Sequence, residues 1–336
     1  MDKKELLVIA KLIDQSSTNV ASRVADALGI SRQSASAKLQ QMKKQGFIEL
    51  VGTGRGANYH LIPLANSLIT YDRKGLDEDV VWREQCAPII DELAPNIRGI
   101  WHHGITEMVN NAIDHSGAEK VTVWICRDLL TTQCKVVDDG EGIFLKIQRA
   151  LDLYDAREAI LELAKGKLTT DPDNHSGEGI FFSSKMMDKF WIESQDLCFF
   201  HMDHEGPDVL LSSKAKTVGT AVFMCLNNDC TRTTKEIFDK FALPSEFSFA
   251  KTIVPVKLAQ YEGEVLVSRS QSKRLTRRFE RFQKVILDFE GVESIGQAFA
   301  DETFRVFAKA HPDVKMMPTN TTPAVAAMIK RVRNPS

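Results

Sequence analysis

The fold of this chain is organised around the stretch Trp101–Ser116, WHHGITEMVNNAIDHS. Apolar and small residues recur there at helical spacing, at Ile105, Met108, Val109, Ala112 and Ile113. Glu107 and Asn111 are four residues apart and therefore share one face of the predicted helix. A carboxylate in this position can orient or deprotonate a nucleophile, and an amide oxygen one turn later can bind a hard cation. Because the same pair is typical of a solvated helix face, its interpretation depends on the residues that follow.

The first glycine-rich motif downstream is Lys135–Phe144, KVVDDGEGIF. An apolar strand is predicted to end at Asp138, which only accepts hydrogen bonds when it is ionised. Gly140 and Gly142 permit backbone conformations that are closed to other residues and allow a ligand to approach the chain closely. An ordinary Asp-Gly turn would explain this motif equally well on its own.

A second glycine-rich motif, His175–Phe182, has the sequence HSGEGIFF. Gly177 and Gly179 precede a helix-like run, and the backbone N–H groups at the start of a helix favour phosphate. A later apolar strand, TVGTAVFMCL, contains the pair Gly219-Thr220. Each motif is weak alone, whereas their order and spacing together are specific.

The series Glu107…Asn111, Asp138-x-Gly140-x-Gly142, Gly177-x-Gly179 and Gly219-Thr220 resembles the Bergerat-fold (GHKL) ATPases, which include gyrase, MutL and histidine kinases. This resemblance implies that Asp138 binds the adenine amino group, that Asn111 holds Mg²⁺ against the phosphates of ATP, and that Glu107 polarises the attacking nucleophile. It also implies that Thr220 supports the adenine. The glycines expected to frame the nucleotide are Gly140, Gly142, Gly177 and Gly179.

Residues 1–63 are predicted to form three helices, at about 3–14, 19–28 and 31–45, followed by a hairpin with its tip at residues 52–56. The pattern resembles a bacterial winged helix-turn-helix. Ser31 is a suitable N-cap for the second helix of the motif, and we expect the tip residue Arg55 to reach a DNA minor groove. The residues that would face DNA from the helix are Arg32, Gln33 and Lys38. A winged helix that contacts protein instead of DNA is the alternative.

We assign residues 64–80, which are polar and contain the charge run DRKGLDED, to a linker, and residues 81–232 to the ATPase. Residues 145–174 lie between the two glycine motifs, where the ATPase family keeps its nucleotide lid. Their composition is typical of a mobile flap. Within it, Lys165 and Lys167 are predicted either to contact the γ-phosphate or to be solvated.

Residues 233–336 are predicted to form a small α/β domain with a βαβαβα-like order, beginning with a strand at 265–267. This order resembles a STAS-like domain of unknown function, for which we expect a protein partner. In classical STAS proteins a phosphorylatable serine starts a helix at the turn where this chain has Gly296. The segment Ser268–Arg281 is a basic helix, interpreted either as a nucleic-acid patch or as a solvated face.

The composition is that of a globular protein: 336 residues, 43% hydrophobic and 26% charged, with a net charge of −2. This charge gives no overall signal for nucleic acid, and no apolar run is long enough to span a membrane. The amino terminus does not resemble a signal peptide, so we expect a cytoplasmic protein. The six cysteines include no C-x-x-C motif and are predicted to be reduced.

Together these patterns predict an α+β multidomain protein with a winged helix, a Bergerat α/β sandwich and a small STAS-like α/β domain. We expect an ATP-binding, Mg²⁺-dependent regulator that couples its nucleotide state to DNA or partner binding. A homodimer is an arrangement that the resemblance allows. The alternatives are a protein serine kinase of the anti-sigma type and a nucleotide-sensing scaffold without turnover, for example in stress or phage defence.

Overall fold

The computed structural model describes residues 1–16, 18–53, 57–168, 177–202, 208–242, 249–261 and 264–333. The chain is a mixed α/β protein with three sheets among these residues. We refer to residues 3–61 as the N-terminal unit, to residues 65–227 as the middle unit, and to residues 234–333 as the C-terminal unit. No helix within the described ranges is both long enough and apolar enough to cross a bilayer.

Three helices and one hairpin make up the N-terminal unit, as the sequence predicts. The elements are α1 (Lys3–Gln15), α2 (Val20–Leu28), α3 (Arg32–Lys44), β1 (Ile48–Val51) and β2 (Asn58–Leu61). The two strands pair in antiparallel fashion. Their shared core includes Ile9, Val24, Leu39 and Ile48, all fully buried. The predicted cap is confirmed, because Ser31 Oγ accepts a hydrogen bond from the Ser34 N–H at 3.1 Å.

A five-stranded antiparallel sheet, in the order β3-β4-β5-β7-β6, forms the centre of the middle unit. Its strands are β3 (Ala65–Asp72), β4 (Lys120–Arg127), β5 (Thr131–Asp138), β6 (Lys189–Met202) and β7 (Val209–Asn227). The helices are α4 (Glu78–Val81), α5 (Ala87–Ile90), α6 (Pro95–His115), α7 (Ile143–Ala150), α8 (Glu158–Lys165) and α9 (Gly179–Met186). Buried residues alternate along β4 and β5, so one face of the sheet forms the core beneath α6.

The linker assigned to residues 64–80 is replaced in the structure by a strand and a short helix. Ala65–Asp72 pairs with β4 over its whole length and forms one edge of the sheet. An edge strand makes backbone hydrogen bonds on one side only and keeps polar side chains on its surface. The sequence of this strand therefore resembles a polar connector, although the strand belongs to the middle unit.

The C-terminal unit contains a parallel sheet in the order β10-β9-β8. A short helix, α10 (Thr234–Phe241), precedes it. Its elements are β8 (Lys251–Pro255), α11 (Arg269–Thr276), β9 (Lys284–Asp288), α12 (Gln297–Asp301), α13 (Ala308–Ala310), β10 (Lys315–Thr319) and α14 (Pro323–Arg333). The predicted first strand at 265–267 is wrong: Leu266 forms only a single bridge with Ile295, and β8 takes that place in the sheet. β9 is the central strand, because it is hydrogen-bonded to both β8 and β10. A central parallel strand is covered on both faces, which explains why β9 has the most continuously apolar sequence of the three strands.

Aromatic side chains connect the middle and C-terminal units. Phe181 of α9 contacts Phe241 of α10 and Phe249, with ring centroids 4.9 and 4.7 Å apart. Phe249 in turn packs edge-on against Phe282 at 5.5 Å. The two units therefore share one continuous hydrophobic core, and we expect them to move together rather than as independent domains.

Candidate functional site

Elements that are distant in the sequence meet around a cavity of about 300 Å³ in the middle unit. It lies between α6, the end of β5, the paired residues of β7, and the first residues of α7 and α9. Among the predicted site residues, those that line it are Glu107, Asn111, Asp138, Gly142, Gly177, Gly179 and Thr220. Gly140 does not line the cavity; its N–H group instead donates to the Asp138 carboxylate at 2.9 Å. His175 and Ser176, which open the second glycine motif, lie outside the described residues.

Asp138 is the last residue of β5 and is only 6% exposed. Its Oδ1 atom accepts hydrogen bonds from the N–H groups of Gly140 and Thr220, at 2.9 and 3.3 Å. Burial raises the pKa of the Asp138 carboxyl, while these two N–H groups act in the opposite direction. The result is an acceptor held in one orientation at the cavity wall, suited to a ligand that donates a hydrogen bond.

Thr220 faces Asp138 across the paired strands β5 and β7. Its hydroxyl accepts a hydrogen bond from the Ile143 N–H at 3.0 Å and so ties β7 to the first turn of α7. Gly142 precedes that turn with φ of +92°, and a Cβ there would lie 2.5 Å from Ser194 Oγ. Only glycine suits this position, because both the backbone conformation and the available space exclude a side chain.

Glu107 and Asn111 project from α6 into the same cavity, as their spacing predicts. A Cβ at Gly179 would lie 1.9 Å from Glu107 Oε2, so the start of α9 approaches this carboxylate closely. Asn111 Nδ2 is buried and has no hydrogen-bond partner. Its carboxamide can present an oxygen to a cation or a nitrogen to a phosphate oxygen. These two side chains fit a metal–phosphate group, which also suits the N-terminus of α9.

Lys146 is a cavity residue that the sequence analysis missed. It lies one turn into α7, and its ammonium donates to the His115 carbonyl at the end of α6. Partial burial lowers the pKa of Lys146. Its position, four residues after Gly142 on the first turn of a helix, was the available signal. The opposite wall is apolar and includes Leu163 and Leu168, which lie at and beyond the end of α8.

The residues predicted to bind DNA have different environments. Arg32 and Gln33 are exposed at the start of α3. The Lys38 ammonium instead pairs with Glu5 of α1 at 2.8 Å, and its side chain is only 24% exposed. Lys38 therefore braces two helices of the N-terminal unit rather than pointing freely outward. Arg55 lies outside the described residues.

The C-terminal unit can be related to a known family. Residues 271–326 match the family model of the STAS-like domain of unknown function (DUF4325). The match begins within α11, contains β9 and β10, and ends within α14. It confirms the prediction of a STAS-like domain in this part of the chain. A comparison of the whole chain with curated proteins finds no match.

The structure explains why glycine stands at the turn before α12 of the STAS-like domain. Gly296 is the N-cap of α12, and its φ of −81° is open to any residue. A Cβ at this position, however, would lie 2.8 Å from Val267 Cα and 2.9 Å from Val267 Cβ. Packing against Val267 therefore leaves no room for a side chain at this position.

Proposed function

We propose that this protein is an Mg²⁺-dependent ATPase of the GHKL type whose nucleotide state regulates what its terminal units bind. The observation that carries this proposal is the convergence of Glu107, Asn111 and Asp138 on one cavity. A pattern that arose by chance in the sequence would have no reason to assemble carboxylate, amide and glycine groups from four separate elements. Cavities of this size and mixed lining are the usual sites for small ligands.

In this proposal the adenine end of the cavity is the one at Asp138 and Thr220. The buried carboxylate accepts a hydrogen bond from the exocyclic amino group, and the apolar residues Val136 and Val222 lie along the same wall. A guanine would present a carbonyl oxygen to Asp138 in place of an amino group. Two acceptors facing each other would leave both unsatisfied, so the site favours adenine over guanine.

Asn111 and the N-terminus of α9 lie at the phosphate end. The resident cation there would be Mg²⁺, which neutralises charge on the phosphates when it is bound. Asn111 is the residue to hold it, and Lys146 adds a positive charge on the facing helix. Glu107 accepts the proton of the attacking nucleophile or orients it, because it is the cavity carboxylate closest to the start of α9.

The N-terminal unit acts in this proposal as a winged helix-turn-helix. Arg32 and Gln33 at the start of α3 are exposed, as residues that read the edges of bases must be. The STAS-like domain is the unit through which we expect a protein partner to act. Nucleotide binding in the middle unit would then shift the whole chain between two binding states.

The experiment that tests this function follows the γ-phosphate. Full-length protein is incubated with Mg²⁺ and γ-labelled ATP, and the label is traced to water, to this chain or to a second protein. Inorganic phosphate as the product supports an ATPase, whereas label on a protein would convert the proposal to a kinase. Calorimetry that detects binding without turnover would favour a sensing scaffold, and the absence of any binding would reject all three.

Two substitutions show whether the assigned residues do the chemistry. Glu107→Ala should retain ATP binding and lose about 10²- to 10⁴-fold in phosphoryl transfer. Asn111→Ala should also lose the part of the affinity that depends on Mg²⁺. If Glu107→Ala hydrolyses ATP as fast as the wild-type protein, the role given to Glu107 is wrong.

A further inference from the structure

Helix α8 lies between the cavity and the STAS-like domain. All eight of its residues are buried, although a mobile flap was expected in this part of the chain. Leu163 lines the cavity, whereas Glu162 and Lys165 contact the C-terminal unit. Helix α8 therefore contacts both the cavity and the C-terminal unit. Because protein interiors are closely packed, a displacement of α8 on one side changes its contacts on the other.

The contact on the far side of α8 is made of buried charges. Lys165 is 0% exposed, Glu162 is 1% exposed, and Arg278 is 7% exposed. Lys165 Nζ donates to Glu162 Oε1 at 2.7 Å, and Arg278 Nη1 donates to Glu162 Oε2 at 3.0 Å. Charges are buried at this depth only when they are paired and hydrogen-bonded. Removal of Glu162 would leave two buried cations without a counter-charge, whereas removal of Arg278 leaves the Lys165–Glu162 pair but takes the donors away from the carbonyls of Gly166 and Lys167. Either change disfavours the docked arrangement.

Each of the two segments also supplies a cation to backbone carbonyls at, or just after, the carboxyl end of the other helix. Lys165 at the end of α8 donates to the carbonyls of Arg274 and Arg277, at 3.2 and 3.0 Å, at the end of α11. Arg278, just after α11, donates to the carbonyls of Gly166 and Lys167 that follow α8. The last carbonyls of a helix lack partners within it and carry partial negative charge. This reciprocal capping joins the two units through the backbone as well as through side chains.

This contact adjoins the cavity directly. Lys167, whose carbonyl Arg278 binds, is followed by Leu168, which lines the cavity. The Leu168 N–H then donates to the carbonyl of Gly177 at 2.9 Å, in the second glycine motif. Arg278 itself has φ of +65°, a conformation that residues other than glycine keep only where the surroundings hold it. A guanidinium of the STAS-like domain thus lies one residue from the wall of the candidate site.

We infer that Arg278 is a positioning residue for the nucleotide site, and that the STAS-like domain serves as the anchor of α8. This inference rests on the function proposed above and adds its regulation. With α8 anchored, Leu163 and Leu168 stay in place along the cavity and the site is preorganised for nucleotide. Coupling between sites is reciprocal, so bound nucleotide must in turn stabilise the contact between the STAS-like domain and α8. A protein partner that displaces this domain from α8 would then change the affinity for nucleotide.

Part of the basic segment Ser268–Arg281 accordingly has a use that differs from both interpretations of its sequence, although Arg269, Lys273 and Arg281 remain exposed. Arg274 and Arg278 are directed at α8 and the loop beside it rather than at nucleic acid or open solvent. Lys165 and Lys167 are likewise committed to carbonyls of the C-terminal unit, since Lys167 Nζ donates to the Arg281 carbonyl at 3.2 Å. Neither lysine is a solvated flap residue.

The test compares Arg278→Met with Arg269→Met in the full-length protein. Methionine keeps much of the length of arginine but has no donor for Glu162 or the carbonyls. Arg269 lies in the same basic segment, at the start of α11, is exposed, and lies 3.9 Å from Glu302 within its own unit. Two quantities are measured for each variant: the Mg²⁺-ATP affinity by calorimetry, and the hydrogen exchange of residues 158–165 without nucleotide.

For Arg278→Met we expect faster exchange in α8 and an ATP affinity lowered by about 5- to 150-fold, the usual range of coupling between sites. Arg269→Met should match the wild-type protein in both. If Arg278→Met does not fold, Arg278→Lys carries the test, because it keeps the charge for Glu162 and loses the planar fork that reaches two carbonyls.

The outcomes separate this inference from the proposed function. A folded Arg278 variant with wild-type exchange in α8 and wild-type affinity would overturn the anchor. Faster exchange with unchanged affinity would show a purely structural ion pair and would also overturn it. A wild-type protein that binds no nucleotide would reject the proposed function, and the positioning role with it, whatever the exchange in α8.

Discussion

Glu107 Oε2 occupies the space that a side chain at Gly179 would need, since a Cβ there would lie 1.9 Å from this oxygen. The carboxylate of α6 and the first residue of α9 are therefore in direct contact. A glycine at position 179 allows the start of a helix, with its free N–H groups, to lie beside a candidate general base. Much of the proposed chemistry depends on this one approach.

Gly179→Ala should displace the Glu107 carboxylate, because the end of a flexible side chain yields more easily than backbone. We expect the rate of ATP hydrolysis to fall by about 10²- to 10⁴-fold, toward the rate expected for Glu107→Ala. The change in unfolding free energy should stay near 1 kcal/mol. Steady-state phosphate release and urea unfolding measure the two effects. Gly99→Ala is the matched control, because its Cβ would meet nothing closer than Thr234 Cγ2 at 4.0 Å. Equal hydrolysis by both variants would contradict the role of the contact.

Asp138→Asn should weaken ATP binding by roughly 1.5–3 kcal/mol, the contribution of a hydrogen bond to a charged group. Asparagine can still accept from the N–H groups of Gly140 and Thr220, so the fold should persist. The neighbouring Asp139→Asn is the control, since Asp139 accepts from Glu119 and Lys120 at an exposed turn outside the cavity wall. Calorimetry on both variants decides the matter. Similar losses in the two would show a general charge effect and not adenine recognition.

If Arg32 contacts a phosphate, Arg32→Ala should reduce the slope of log affinity against log salt concentration by about one unit. If Arg32 contacts a base, the substitution should cost about 1–3 kcal/mol of binding free energy at one base position. Lys38→Ala should have a smaller effect, because the Lys38 ammonium is held by Glu5. The measurement is a selection from random duplexes with full-length protein, with and without ATP, followed by salt titration of the enriched sequence. If no sequence is enriched in either state, the N-terminal unit is a protein-contact module.

His103 should make the stability depend on pH. Its Nε2 is buried without a hydrogen-bond partner, and burial lowers the His103 pKa to about 4. In the unfolded chain the pKa is about 6.5, so between these values the unfolded chain binds more protons. The contribution of His103 to the free energy of unfolding is therefore fully present above about pH 6.5 and is lost as the pH falls toward 4. Below about pH 4 no further stability is lost through His103. Urea unfolding at pH 7 and pH 5 should show a smaller difference for His103→Phe than for the wild-type protein. The exposed His60→Phe should retain the full difference.

The local features of this chain were readable from sequence because their causes are local. Helical spacing located α1 and α6, and the four-residue interval placed Glu107 and Asn111 on one face. Gly177 and Gly179, which precede a helix-like run, located the start of α9. The residues singled out by the resemblance to the ATPases mostly line one cavity.

Only the tertiary structure decided the features that depend on pairing between distant segments. The strand at 65–72 has little apolar pattern, and its place in the sheet is decided by β4. Lys38 and Lys165 resemble solvated lysines in sequence, yet the partner of Lys38 lies 33 residues away. Besides its neighbour Glu162, Lys165 binds two carbonyls that lie about 110 residues away. A charge can be buried only where an opposite charge and open carbonyls meet it, and no local pattern records that meeting. For this reason the sequence predicted most of the residues that line the cavity, whereas the contact between α8 and Arg278 was visible only in the folded chain.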